Sequence, residues 1–264
     1  NLDWFLYNFK LESALNKNTS LDINFFGLNA KRKSLGFRSN RVDQIDPLQE
    51  RDLIFGDFNN FGLESKLLTK YKILDKKSIF LLGLKYYNSN NTGEQGPGIN
   101  NSEPNFNFQY DLFPNYRYQS FFTYPNLNFS LFGENIFYLS DKLSITPGFR
   151  YENIKTESDG YYKNINLDAA GNVILNELNY SNDIRKRSFV LLGIGISLKP
   201  KNFIEFYGNI SENYRSVTFA DISLFNPSYA INPDITDESG MTADFGLRGN
   251  IKNLQIWAMS ATLG

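Results

Sequence analysis

The run from Leu143 to Glu152 places Leu143, Ile145, Pro147, Phe149 and Tyr151 on one face of an extended chain and Ser144, Thr146, Gly148, Arg150 and Glu152 on the other. That is the pattern of a strand with one apolar and one polar face. It recurs about ten times, in segments of roughly 9 to 13 residues joined by connections that are alternately short and long. The predicted strands are Trp4 to Leu15, Ser20 to Ala30, Phe61 to Ile73, Ser78 to Tyr87, Asn126 to Leu139, Leu143 to Ile154, Ser188 to Leu198, Phe203 to Tyr214, Gly240 to Gly249 and a tenth from Leu254. The short turns are Asn16-Lys17-Asn18, Asp75-Lys76-Lys77, Ser140-Asp141-Lys142 and Lys199 to Asn202, and the long loops are Lys31 to Asp57, Asn88 to Pro125, Lys155 to Lys186 and Arg215 to Ser239. Gly96-Pro97-Gly98 is assigned to a loop because Pro cannot donate to a ladder. Tyr161 to Leu167 and Val173 to Leu178, around Asp168 to Asn172, are assigned to a small separate hairpin on the rim. Short turns on one side and long loops on the other predict an all-β, antiparallel transmembrane β-barrel wall. A soluble β-sandwich also alternates, but has no reason to sort its loops in this way.

Composition narrows the reading. Mean hydropathy is -0.39, and no stretch approaches the 18 or so consecutive apolar residues of a membrane helix, so any crossing is made by strands. The 24 Phe and 16 Tyr suit strands and the aromatic girdles of bilayer interfaces. With 27 basic against 28 acidic residues there is no basic excess, which argues against a nucleic-acid partner. The chain has no Cys and no His, so disulfides, thiol chemistry, imidazole metal ligands and histidine-dependent catalysis are excluded. The sequence begins at Asn1 and breaks off at Gly264 without an initiator Met or signal peptide. The expectation is a piece of a longer exported protein, whose ten strands form a curved, open-edged sheet instead of a closed cylinder.

Three stretches carry a family resemblance. Phe129 to Glu134 followed by Gly148-Phe149-Arg150-Tyr151-Glu152 resembles a strand pair of TonB-dependent outer-membrane receptors. Ser211 to Asp221, with Asn226-Pro227, Asp237-Glu238 and Gly246-Leu247-Arg248-Gly249, looks like the late-barrel signature of the same family. Lys85-Tyr86-Tyr87 with Thr92 and Gln95-Gly96 is similar to its ferric-citrate branch. The resemblance implies that residues 1–264 are part of one barrel domain of about 22 strands around a plug, the plug and closing strands lying outside this sequence. It implies active transport of a ferric chelate, either ferric citrate or a siderophore, across the outer membrane of a Gram-negative bacterium, energised by the TonB complex through the plug. The expected partners are the chelate, the TonB complex, outer-membrane lipid and lipopolysaccharide. No cofactor is expected, iron being carried as the chelate substrate, and no enzymatic activity. A passive porin or adhesin and a small ten-stranded outer-membrane hydrolase are the alternatives.

Among candidate site residues, Arg117 beside Tyr116 and Tyr118, and Tyr214 with Arg215, fall near strand-to-loop junctions, where guanidinium forks suit an anionic chelate. Arg and Tyr at such places also serve as plain interfacial residues. Arg32, Arg38 and Arg41 form a basic cluster in the first long loop, suited to a chelate or to lipopolysaccharide phosphates. Glu134 and Arg150 occupy polar faces of adjacent strands and are expected to pair diagonally in a fixed polar network. Gly193-Ile194-Gly195 lies inside a strand and is no nucleotide loop. Asn209-Ile210-Ser211 is a chance triplet in an Asn-rich chain, and no acidic spacing reads as a metal site.

Overall fold

Two-faced strands of this kind bury nothing by themselves and must pair side by side, and in a computed structural model of the chain they do so in sequence order. The structure describes residues 1–37, 42–46, 48–101, 105–217, 235–251 and 254–258. Its ten strands are β1 (Leu2–Asn16), β2 (Thr19–Gly36), β3 (Arg51–Ile73), β4 (Lys76–Gly98), β5 (Ser120–Tyr138), β6 (Leu143–Leu167), β7 (Val173–Lys201), β8 (Ile204–Arg215), β9 (Glu238–Ile251) and β10 (Leu254–Ala258). They form one antiparallel meander in the order β1 to β10. Among the described residues β1 pairs only with β2 and β10 only with β9, so the sheet is open at both ends, as the sequence suggested.

Register keeps one set of side chains on one face throughout. Phe9, Phe25, Leu63, Tyr86, Phe129 and Tyr151 belong to this apolar face, as do Leu192, Ile194 and Ile196 of β7. The opposite face carries Glu12, Asp22, Lys66, Lys85, Ser130, Arg150 and Glu152. Leu192 is 58% exposed and Ile194 50%, so large apolar side chains stand outward with no protein against them, the reverse of a water-soluble sheet. Along the upper edge of this band the rings of Tyr7, Phe25, Phe61 and Tyr86 follow one another at 5.6, 6.4 and 6.0 Å, a row of the kind that marks a bilayer interface.

Four strands run well beyond the band. The second predicted loop is largely β4 continuing to Gly98, opposite a β3 that starts at Arg51. The supposed rim hairpin is the continuation of β6 and β7 in one register from Leu143↔Leu198 up to Asn166↔Leu175. Both extensions were missed for one reason: above Asn88 and Asn153 both faces are polar, so the period-two signal vanishes while backbone pairing persists. Pro97 is tolerated because its carbonyl accepts from Gln109 N at 2.8 Å, so its donor-less nitrogen points away from β3, on the side where β5 has already ended at Ser120. The β3–β4 turn is also tighter than expected. Ile73 pairs with Lys76, leaving Leu74 and Asp75 as its two residues at φ 46 and 59, the geometry of a type I′ hairpin.

Candidate functional site

Where the polar face continues above the apolar band, charged side chains knit the extensions together. Arg187 of β7 donates from Nε and one terminal nitrogen to the two oxygens of Asp237, at 2.6 and 3.1 Å. The other terminal nitrogen reaches Thr156 Oγ1 at 3.0 Å, and the one that bonds Asp237 also donates to the Val217 carbonyl at 3.2 Å. The Tyr214 hydroxyl also donates to Asp237, Val217 N–H donates to it at 2.9 Å, and the Tyr214 ring packs on Phe189 at 4.0 Å. Burial acts to raise the Asp237 carboxyl, but the donors from Arg187, Tyr214 and Val217 outweigh it and hold the group at about 2. β7 and β8 stop pairing above Gly193↔Ser211. The cluster therefore ties together strands that the ladder no longer joins.

A second group fixes the connection between β4 and β5. The Tyr116 hydroxyl donates to Asp52 at 2.5 Å and accepts from Gln95 Nε2 at 3.1 Å, while Tyr110 donates to Glu94 at 2.7 Å. Burial first, then that carboxylate, pushes the Tyr110 hydroxyl well up. Lys33 and Lys163 hold the carbonyls of Phe106 and Pro114. The connection is thus a pinned strap, and Arg117 is carried exposed on its surface next to buried Tyr116.

The predicted residues separate into classes on this frame. Tyr214 is committed to Asp237. Arg215 forms an ion pair with Glu238 at 3.0 Å, both side chains about two-thirds exposed, so the pair is weak. Arg32 lies over the Phe58 ring at 6.0 Å, on the polar face and away from the apolar one. Arg38 and Arg41, like residues 218–221 and 226–227 of the late-barrel stretch, lie outside the described residues. Arg150 takes Glu152 and Ser130 as partners instead of Glu134. Glu152 is two residues along the same face and lies directly opposite Ser130, whereas Glu134 lies opposite Gly148, one rung lower. Glu134 is exposed, and Glu152 is buried with Ser130 Oγ donating to it at 2.7 Å. Arg150 also caps the Phe132 ring at 5.4 Å. Sequence reasoning missed Arg187 and Asp237 as a pair, although Asp237 lay inside a quoted motif, because nothing in a sequence couples residues so far apart.

Comparison with known proteins follows the same geometry. The model of the TonB dependent receptor-like β-barrel family matches residues 1–263. The unliganded ferric citrate transporter FecA aligns with a TM-score of 0.68 at 13% identity, covering 96% of this chain and 33% of that one. The siderophore receptor PiuA from Acinetobacter baumannii gives 0.65 at 15% identity, covering 95% and 38%, and the ferric yersiniabactin uptake receptor FyuA from Yersinia pestis gives 0.60 at 12%, covering 95% and 33%. At these identities the likeness is one of fold. The chain spans about a third of the length of such structures. No curated protein matches it in sequence.

Proposed function

Since the chain belongs to the TonB-dependent receptor-like β-barrel family, whose structural neighbours here are transporters and receptors and not enzymes, we propose that it is part of the wall of an outer-membrane receptor that takes up a ferric chelate, its plug and remaining strands being supplied by the rest of the protein. The apolar face then meets lipid and the polar face lines the lumen. The observation that carries this reading is the two-faced wall itself, one face outwardly apolar with an aromatic row, the other bearing matched charges. Energisation by the TonB complex through the plug belongs to the same proposal.

Ferric citrate is our specific substrate reading, supported by the stretch from Lys85 to Gly96. Within it Tyr86 belongs to the aromatic row of the lipid side, so the part open to substrate is Lys85, Tyr87 and Gln95 on the polar face. Arg117, exposed on a pinned strap, and Arg215, held only by a weak surface pair, are the guanidinium groups we assign to an anionic chelate. Tyr214, committed to Asp237, supports Arg215 beside it, Arg38 and Arg41 complete the proposed set, and lipopolysaccharide is the proposed outer-leaflet contact. The test is growth of a strain carrying the full-length protein on ferric citrate as sole iron source, with the energising complex intact or deleted. Growth only in the first case supports the reading; growth in both identifies a passive pore.

A further inference from the structure

Above the apolar band an aromatic row reappears on the same face of the sheet. The β6–β7 register runs unbroken from Leu143↔Leu198 to Asn166↔Leu175, so Tyr161 and Tyr180, directly opposite each other, face the same way as Tyr151 and Leu192. Phe121 of β5 lies opposite Tyr161 in turn, and the three rings follow one another at 6.3 and 6.1 Å. Tyr161 stands ten residues above Tyr151, the last aromatic of the band on β6. At about 3.3 Å per residue and a tilt of about 40°, that lifts the row roughly 25 Å above the band. Between the two levels this face is polar but for Ile184: Asn153, Lys155, Glu157 and Asp159 of β6 stand against Ser188, Lys186, Ile184 and Asn182 of β7.

Upper β7 is open on two sides. Tyr180 is 78% exposed, and Leu178 and Ile184 beside it are about half exposed. Pairing with β8 ends at Gly193↔Ser211, where the Glu212 carboxylate takes the Leu192 N–H at 2.7 Å, and among the described residues no strand pairs with that edge of β7 above this point. An open edge invites a further strand, but Asp183, Arg185, Lys186 and Arg187 crowd charge onto this one, which guards against such pairing. Below the rings Lys155 and Lys186 lie directly opposite one another. Lys155 pairs with Glu157, whereas Lys186 is exposed and makes no ion pair among the described residues.

We propose that this outward surface of upper β6 and β7 binds the sugar chain of a phosphorylated glycolipid of the outer leaflet. The inference rests on the membrane-wall reading above and gives the lipopolysaccharide contact a place and a chemistry. A phosphate at the base of the sugar chain meets Lys186 and Lys155 just beyond the band. Higher up, the C–H faces of sugar rings lie on Tyr161 and Tyr180, amphipathic side chains suited to a partner that is apolar on its faces and wet at its rim. Asn182, whose amide donates to Asp159 at 3.0 Å, keeps its carbonyl as an acceptor for sugar hydroxyls, and hydroxyls also satisfy the open backbone edge of β7. Position selects this ligand. An acyl chain does not cross the polar zone to reach the upper rings, whereas the sugars of an outer-leaflet glycolipid stand at that height and on that side of the wall.

The test uses the full-length receptor in phosphatidylcholine nanodiscs holding equal amounts of lipid A and of lipopolysaccharide that carries its core oligosaccharide, the retained molecule being identified by native mass spectrometry. Wild type is expected to retain the core-bearing form about tenfold over lipid A, and Y161A/Y180A to remove that preference. K155Q/K186Q is expected to lower retention of both forms alike, because both carry the phosphates. Y180A alone serves if the double tyrosine variant does not insert. Equal retention of both forms by wild type overturns the proposal, as does a preference that survives Y161A/Y180A. So does full displacement by free core oligosaccharide, which marks a soluble-sugar site. The Tyr180 and Asn182 amides, by alternation from Leu192, point to the open edge; slow hydrogen exchange there in discs free of glycolipid marks a protein strand and overturns the proposal too. Failure of wild type to enter any bilayer overturns the membrane-wall reading, whereas insertion without preference overturns this inference alone.

Discussion

Phe132 occupies the space that a side chain on Gly83, its direct neighbour across β4 and β5, would need. The same ring forms the floor beneath the Arg150 guanidinium, which in turn bonds Glu152 and Ser130. A glycine on one strand therefore sets the position of a half-buried ion pair two strands away. The same device, an aromatic ring laid over a cross-strand glycine, recurs at Phe26 over Gly62 and Tyr207 over Gly246.

Gly83→Ala is accordingly expected to cost about 1 to 3 kcal/mol, because its methyl group meets the ring and not open space. Phe132→Ala alone also destabilises, but in its background the glycine substitution becomes nearly neutral. A double-mutant cycle on the full-length protein, read by thermal loss of heat-modifiable mobility, measures this coupling. Additive penalties would show that the ring and the glycine are independent.

How much of this was legible in the sequence depends on where each residue sits relative to the bilayer. Inside the band alternation is strict, and β1, β7 and β8 were located to within a few residues at their lipid-side portions. Above it the strands β3, β4, β6 and β7 lose the alternation while keeping their ladders, so Asn88 to Gly98 reads as a loop and Lys155 to Leu167 as a loop that carries a separate hairpin from Tyr161. The polar network was half legible. Arg150 was recognisable as a polar-face residue, but its choice of Glu152 over Glu134 was not: register leaves Ser130 and Glu134 equally diagonal to it, and Ser130, which also donates to Glu152, is the one that joins the pair. The Arg187–Asp237 pair joins residues 50 apart in sequence and needed the fold.

Leu192→Arg on the outward face is expected to cost about 2 to 4 kcal/mol near mid-bilayer. Gly195→Ser is far milder, because the nearest atom to an added Cβ is Thr146 Cβ at 3.7 Å, ordinary contact. Equilibrium unfolding of the full-length receptor in lipid vesicles compares the two. Equal penalties would contradict a lipid-facing role for the β7 row.

The β3–β4 turn holds Leu74 at φ 46, a conformation in which a γ-branched side chain is strained and Gly or Asn is at ease. Leu74 is 94% exposed and contributes little packing. Leu74→Gly should therefore stabilise the receptor by up to about 1 kcal/mol despite removing a large apolar side chain. A lower denaturation midpoint for this variant would show that Leu74 has a partner in the assembled receptor.

The link between Arg187 and Asp237 makes a prediction in pH. Asp237 sits at about 2 in the folded chain against an ordinary value of 3.8. A depressed carboxyl contributes stability that is present above the unfolded value and is lost as pH falls through the folded one, so the loss is confined to the interval from about 4 down to about 2. Its size is about 2 kcal/mol at neutral pH, enough to keep Val217 and the start of β9 docked on β7. The Val217 amide, which donates to Asp237, is the local reporter: its hydrogen-exchange protection should fall across that interval in the wild-type receptor. Asp237→Asn keeps an acceptor but removes the charge, so it should lower protection at pH 7 and abolish the pH step. Arg187→Lys, which retains charge but loses the two-pronged geometry, should fall between the two. A step that survives in Asp237→Asn would assign it to another carboxylate and break the link between this ion pair and the docking of Val217 and the start of β9.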